Sequence, residues 1–352
     1  MIPLFVPGRL CLFGEHSDWA GAYRGERPDQ PPGYCLVMGT DQGLHAEAEA
    51  RTHTFEVSSH LPGSAVVETH LPAERAALAA AAGRGEFFSY AAGAAAEVMD
   101  RHPVGGLALR IRADLPVGKG LSSSAAICVL VARAYSRVYD LGLTEREEVE
   151  LAYAGERRTG SECGRMDQIC AYGQRPTFLR FDGGGLEVEV LQPGGALHLL
   201  VVDLRAAKDT VRILRDLNAC FPDAPGAVAA GVREALGPRN EHILRRAREA
   251  VAAGAAEALG ALMVEAQELF DAHVAPACEE LRAPRLHEVL AHGAARELAH
   301  GGKGVGSQGD GCAQFVARDA EARDELAVRL ERDLGVVCLP LTIRPASSGG
   351  AG

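Results

Sequence analysis

The fold of this chain is decided by the stretch Leu115-Pro116-Val117-Gly118-Lys119-Gly120-Leu121-Ser122-Ser123-Ser124-Ala125-Ala126. Before it, residues 107–115 alternate apolar and polar side chains, which predicts a half-buried strand. After it, residues 122–139 are apolar on nearly every side, which predicts a buried helix. The stretch is therefore predicted to be a turn that leads from a strand into a helix capped by a serine.

A helix start of this kind can bind an anion. Its first backbone N–H groups have no partners within the helix, and the helix dipole adds partial positive charge there. Glycines let the backbone approach an anion closely, so polyphosphate is the natural ligand. An ordinary capped helix without a ligand is the alternative for this stretch taken alone.

Neither common nucleotide-binding pattern accounts for the stretch. The P-loop needs serine or threonine after its lysine, but Lys119 is followed by Gly120. The dinucleotide pattern G-x-G-x-x-G occurs at 304–309, but it runs into a strand-like segment at 312–316 instead of opening a helix. A Rossmann oxidoreductase is therefore excluded.

Composition narrows the class of protein. The chain has 352 residues, of which 47% are hydrophobic, and a formal net charge of −11. This length allows about two domains, and the acidic balance argues against a nucleic-acid or anionic-membrane surface. Nine scattered cysteines without a C-x-x-C predict buried free thiols in a reducing compartment. With no signal-peptide pattern and no long apolar span, we expect a cytoplasmic protein.

Three motifs in order resemble those of the GHMP kinases, named after galactokinase, homoserine kinase, mevalonate kinase and phosphomevalonate kinase. They are residues 7–18, 116–126 and 304–311, so the resemblance runs essentially end to end. It implies an α+β fold, with an N-terminal domain like ribosomal protein S5 domain 2 and a ferredoxin-like C-terminal domain. We place the boundary at the glycines 183–185, which gives domains 1–185 and 186–352.

The resemblance also implies ATP as co-substrate and Mg²⁺ as its metal. The residues that it assigns to the ATP phosphates are Pro116, Gly118, Lys119, Gly120, Leu121, Ser122, Ser123, Ser124 and Ala125, together with Gly306, Ser307 and Gly309. Ser124 and Glu156 match the magnesium ligands, and their oxygens are the hard donors that this ion prefers. Tyr90 lies in a segment similar to the one that flanks the nucleotide base in galactokinases.

Asp167 matches the catalytic aspartate of the family. A carboxylate beside the acceptor hydroxyl can take its proton as the γ-phosphorus is attacked. Arg9 matches the basic residue of the first motif, which would stabilise this carboxylate and offset developing charge.

The first motif bears on the substrate. Glu15, His16 and Asp18 resemble the galactokinase sequence, in which the two acidic residues bind sugar hydroxyls. Carboxylates suit a polyol because each accepts charge-assisted hydrogen bonds, whereas Asp18 would repel the carboxylate of mevalonate. The resemblance thus implies a neutral sugar or cyclitol, phosphorylated at its anomeric hydroxyl. Capping by Ser17 and a core position for His16 are the structural alternatives.

Three departures from the family pattern stand out. All seven tyrosines lie at or before Tyr172, so the C-terminal tyrosine that contacts sugar in galactokinases has no counterpart, and galactose itself is in doubt. Ser122 replaces the usual glycine of the second motif. In the third motif Gln308 and Asp310 replace small residues, and Asp310 must either point away from phosphates or help to bind metal.

Two other functions are compatible with the motifs. One is a kinase of a non-sugar alcohol, such as mevalonate or a small amino-alcohol. The other is a non-catalytic sugar or ATP sensor, against which stands the presence of all four key residues: Arg9, Ser124, Glu156 and Asp167. The sequence leaves open whether the protein is a monomer or a homodimer.

Overall fold

A computed structural model describes residues 1–60, 66–114, 122–161 and 163–345. Its strands are β1 (Ile2–Phe13), β2 (Gly33–Arg51), β3 (Thr54–His60), β4 (Val67–Pro72), β5 (Gly106–Ala113), β6 (Thr177–Asp182), β7 (Gly185–Val190), β8 (Leu197–Asp203), β9 (Ala299–Gly304), β10 (Cys312–Ala317) and β11 (Val337–Ile343). Its α-helices are α1 (Ser17–Ala22), α2 (Arg75–Ala82), α3 (Ser89–Arg101), α4 (Ser123–Val138), α5 (Glu145–Arg157), α6 (Thr210–Asn218), α7 (Ala227–Glu234), α8 (Asn240–Ala253), α9 (Ala256–His273), α10 (Pro284–Leu290), α11 (Gly293–Leu298) and α12 (Ala320–Leu334).

The chain forms two compact units that interleave along the sequence. The first contains Met1–Arg9 and Gly39–Gln174, and the second contains Leu10–Met38 and Arg175–Gly352. Strands β1 and β2 therefore contribute residues to both units. The sequence predicted a single division into 1–185 and 186–352, and that domain organisation stays a prediction.

In the first unit, β5 shows the predicted alternation of buried apolar and exposed polar residues. It pairs antiparallel with residues 44–51 of β2 and parallel with β3, which in turn pairs with β4. Helices α2 to α5 pack on one another. Helices α3 and α5 approach closely at Gly155, where an added Cβ would lie 2.5 Å from Ala94 Cα. This contact fixes the end of α5, which carries Glu156.

Strand β1 is continuous through Pro7 and Gly8, although proline and glycine commonly interrupt strands. The facing strand β2 makes room at Gly39, where a Cβ would lie 2.6 Å from the Pro7 ring.

In the second unit, residues 33–37 of β2 pair with β6, and β6 pairs with β7. A separate four-stranded antiparallel sheet has the order β11-β8-β10-β9, with β8 central as predicted. Its core includes Leu200, Phe315, Leu326 and Leu330.

Strand β9 was not predicted, because its glycines carry no periodic apolar signal. Those glycines let α9 pack directly on the strand: a Cβ at Gly301 would lie 2.1 Å from the carbonyl oxygen of Gly260. The chain before β9 forms two short helices, α10 and α11. They are separated at His292, whose Nδ1 accepts a hydrogen bond from the backbone N–H of Ala294.

Candidate active site

Most of the predicted phosphate loop lies outside the described residues, namely Pro116, Gly118, Lys119, Gly120 and Leu121. Ser122 precedes helix α4 with φ 56° and ψ 48°, a left-handed backbone, and its side chain makes no capping hydrogen bond. The predicted serine cap is therefore wrong, because a capping residue needs an extended backbone to turn its hydroxyl toward the first N–H groups. The strain explains why a glycine is usual here in the family.

Replacing Ser122 with glycine is expected to raise the free energy of unfolding by about 0.5–1 kcal/mol, because the left-handed backbone penalises any residue with a Cβ. Urea unfolding at 25 °C measures this change. Ser123→Gly is the matched control, since Ser123 lies in the first turn of α4 and glycine there should destabilise by about the same amount. Destabilisation by both substitutions would contradict the strain at Ser122.

The first unit brings together the predicted magnesium ligands. Glu156, at the end of α5, is only 2% exposed. Its Oε2 accepts a hydrogen bond of 2.7 Å from Gln168 Nε2, and its carboxylate also accepts one from Ser124. Burial, followed by the negative charge of Asp167, raises the pKa of Glu156 to about 7. Two carboxylates and a hydroxyl therefore converge at the start of helix α4.

Arg9 and Asp167 form an ion pair, as the resemblance implied. The Arg9 guanidinium donates a hydrogen bond to Asp167 Oδ1. The Arg9 side chain is 5% exposed and that of Asp167 is 28% exposed, so the carboxylate remains accessible while its cation is buried. This geometry suits a group that must meet a substrate, although the catalytic roles of both residues stay predictions.

The donors present fit a magnesium ion that is also bound to phosphate. Within the described ranges, no cluster of three or more histidine, cysteine or acidic side chains could hold a metal alone. Mg²⁺ does not need one, because it keeps several waters and takes one or two protein oxygens plus phosphate oxygens. Burial first, and the charge of Asp167 second, raise the pKa of Glu156, so its ionised form is not fully compensated by the hydrogen bonds that it accepts. A divalent cation would compensate it.

An apolar pocket of about 260 Å³ lies beside the start of α4 in the first unit. Its walls include the predicted base-flanking residue Tyr90. They also include Phe87 and Phe88, whose rings meet edge to face with centroids 4.8 Å apart. Flat aromatic walls next to a helix start that is predicted to bind phosphate are suited to a nucleotide base.

In the second unit, the first motif is held by protein contacts. Glu15 Oε1 accepts a hydrogen bond from the buried ammonium of Lys303 on β9. Asp18 lies in the first turn of α1 and is also buried. Lys303 was not recognised in the sequence, because nothing there indicates that it faces Glu15.

His16 uses both of its ring nitrogens within the second unit. Trp19 Nε1 donates to His16 Nδ1 over 3.2 Å, so the ring proton lies on Nε2, which donates to the Ser307 carbonyl over 3.3 Å. Burial lowers the pKa of His16 to about 4, and the positive charges of Lys208 and Lys303 contribute to the decrease. The hydrogen bond to the Ser307 carbonyl acts in the opposite direction. The imidazole is therefore neutral near pH 7 and tethers the third motif, while the predicted contact with substrate stays a prediction.

The third motif forms a turn suited to an anion. Gly306, Gln308 and Gly309 have positive φ values of 68°, 62° and 69°. The carbonyls of Ser307 and Gln308 accept from His16 Nε2 and from Lys208 Nζ. In the described part of the chain nothing accepts from the N–H groups of Ser307 and Gly309. A turn with several left-handed residues and unengaged N–H groups can form an anion-binding concavity.

Asp310 points away from that concavity. Its Oδ1 accepts a hydrogen bond of 2.9 Å from the backbone N–H of Leu286, in the first turn of α10. Asp310 thus stabilises a helix start, which decides between the two alternatives left open by the sequence.

Comparison with known proteins agrees with the motifs. Residues 89–174 match the family model of the GHMP kinases N terminal domain. The galactokinase of Thermococcus kodakarensis is 27% identical over 302 residues, which cover 79% of this chain and 80% of that enzyme. The galactokinase of Pyrococcus furiosus is 26% identical over 53% of this chain and 48% of its own length.

Two solved structures share the fold. L. major mevalonate kinase in complex with R-mevalonate has a TM-score of 0.72 at 20% identity, covering 99% of this chain and 97% of that one. Lactococcus lactis galactokinase complexed with galactose has a TM-score of 0.72 at 19% identity, covering 98% and 93%.

Residues 89–174 match the N-terminal domain of the GHMP kinases, and the α+β fold predicted from the resemblance to that family is confirmed. The chain is a small-molecule kinase that phosphorylates an alcohol group, with ATP as the co-substrate implied by the family. Among the described residues, no helix is long and apolar enough to cross a membrane.

Proposed function

We propose that this kinase transfers the γ-phosphate of ATP to a hydroxyl of a neutral sugar or cyclitol, and that in a sugar this is the anomeric hydroxyl. The observation that carries the proposal is the accessible carboxylate of Asp167, paired with the buried Arg9. The two acidic residues of the first motif, Glu15 and Asp18, favour a polyol acceptor. Similarity to a galactokinase over 79% of the chain supports a sugar.

Asp167 would accept the hydrogen bond, and then the proton, of the attacking hydroxyl. General-base assistance of this kind contributes about 10²–10⁴ in rate. Arg9 would hold the carboxylate in one orientation and offset the negative charge that develops on the phosphoryl group.

Ser124 and Glu156 would hold Mg²⁺ through their oxygens. When bound, the ion would neutralise charge on the phosphate oxygens. The N–H groups of the third-motif turn would bind phosphate oxygens, and the aromatic pocket beside Tyr90 would take the base.

ADP release in the presence of Mg-ATP tests this function across a panel of acceptors. The panel contains galactose, glucose, arabinose, fucose, glucuronate, amino sugars, inositols, mevalonate and homoserine, with Asp167→Asn as the blank. We expect turnover on a neutral sugar or cyclitol that disappears in the blank. Turnover on mevalonate or homoserine alone would contradict the proposed acceptor, and ATP binding without any turnover would favour a sensor.

A further inference from the structure

Lysine is rare in this chain. Of its 36 basic residues only three are lysines, Lys119, Lys208 and Lys303, and the other 33 are arginines. Among the basic side chains that form ion pairs in the described segments, that of Lys303 is the most buried, with only 2% of its surface exposed. A chain that uses arginine almost everywhere has an ammonium at a buried position, which indicates that the position requires one.

The space around Lys303 explains the choice. Its ammonium donates to Glu15 Oε1 and, over 2.8 Å, to the carbonyl of Gly304. The adjoining cavity, lined in part by Leu236 and Phe270, has a volume of only about 30 Å³. It leaves little space beside Glu15 for the larger, planar guanidinium of an arginine.

Glu15 has one oxygen committed and one available. Oε1 is held by Lys303, whereas no donor to Oε2 is found among residues 1–60, 66–114, 122–161 and 163–345. The predicted substrate ligand therefore offers a single oriented oxygen.

Stability alone does not account for the pair. A buried ion pair is often no more stabilising than a neutral, well-packed replacement, because both charges lose their hydration. Its position directly before the third motif points to a function in orienting Glu15.

We propose that Lys303 is a positioning residue of the acceptor site: it fixes Glu15 through Oε1 and so directs Oε2 to accept a hydrogen bond from an acceptor hydroxyl. This inference rests on the proposed function. The inference adds Lys303 to the acceptor site, as a residue that affects acceptor affinity through its contact with Glu15.

A double-mutant cycle on the acceptor KM tests this role, using Lys303→Met, Glu15→Gln and the double variant. Wild-type turnover on a neutral acceptor is measured first and establishes the proposed function independently. We expect each single variant to raise the acceptor KM at least about tenfold, with the ATP KM changed less than about threefold. The double variant should resemble Glu15→Gln alone, because two residues acting through one contact are not additive.

Thermal unfolding of the same proteins separates positioning from folding. Lys303→Met leaves a buried carboxylate without its cation and should lower Tm, while the neutral double variant should recover it. A double variant that regained both Tm and acceptor KM would show a purely structural pair and overturn the proposal. Multiplicative KM effects, or an equal rise in ATP KM, would also overturn it. If the wild-type enzyme turned over none of the acceptors, both the proposed function and the positioning role would be contradicted.

Discussion

Asp167→Asn is expected to lower kcat about 10³-fold, because an amide cannot take the proton of the attacking hydroxyl. The KM for ATP should change less than about twofold, since the predicted ATP contacts lie in other residues. Steady-state ADP release at saturating acceptor measures both constants.

Asp100→Asn is the matched control for this variant. Asp100 is an aspartate of the same unit that pairs with an arginine, Arg158, at 2.6 Å, but it is not a predicted site residue. Its kcat should stay within about twofold of the wild type. A near-normal kcat for Asp167→Asn would refute the assigned base.

Glu156→Gln is expected to have opposite effects on stability and activity at pH 8. The folded-state pKa of Glu156 is raised to about 7 from 4.5, so the folded protein binds more protons than the unfolded chain between these values. Its stabilising contribution is present at low pH and is lost as pH rises to 7. The variant should thus be more stable than wild type by about 3 kcal/mol at pH 8 and nearly equal at pH 4.5.

Activity should fall at least about 10²-fold in the same variant, because an amide is a poor replacement for an anionic magnesium ligand. Urea unfolding without metal, at pH 5 and 8, and Mg²⁺-dependent ADP release measure the two effects. A difference in unfolding free energy between Glu156→Gln and wild type that does not change with pH would refute the raised pKa of Glu156.

Glu148→Gln is the control for burial on the same helix. Glu148 is as buried as Glu156, but its carboxylate accepts a 2.6 Å hydrogen bond from Arg133. Burial raises the pKa of Glu148 as well, but the hydrogen bond and charge of Arg133 oppose this rise. Losing the carboxylate should leave Arg133 without its counter-charge and destabilise the protein by about 3 kcal/mol at pH 8. Stabilisation by Glu156→Gln together with destabilisation by Glu148→Gln would show that the arginine partner of Glu148 decides the sign of the effect.

Local patterns predicted the elements that carry periodic apolar residues. The alternation of β5 is an example. Strand β9 was missed because tight packing against α9 selects glycines, which have no periodicity. Ser122 was misjudged because a serine before a helix indicates a cap, whereas the identity of its side chain does not reveal its left-handed backbone.

In the candidate site, too, motifs predicted some residues, while others depend on contacts that form only in the folded chain. Arg9, Ser124, Glu156 and Asp167 could be named from motifs, and the structure brings them together within the first unit. The partners that tune them could not be named, because each comes from a distant or unremarkable position. Lys303 lies 288 residues from Glu15, and the side-chain amide of Gln168 reveals its contact with Glu156 only once α5 has folded beside it.

Product analysis by ³¹P and ¹H NMR tests the central claim most directly, with wild-type enzyme, Mg-ATP and the acceptor that supports turnover. The predicted result is one new monoester resonance, coupled to the anomeric proton of a neutral sugar and absent with Asp167→Asn. A phosphate on a carbon other than the anomeric one would contradict the proposed hydroxyl. A phosphorylated product only from mevalonate or an amino-alcohol would contradict the sugar kinase itself.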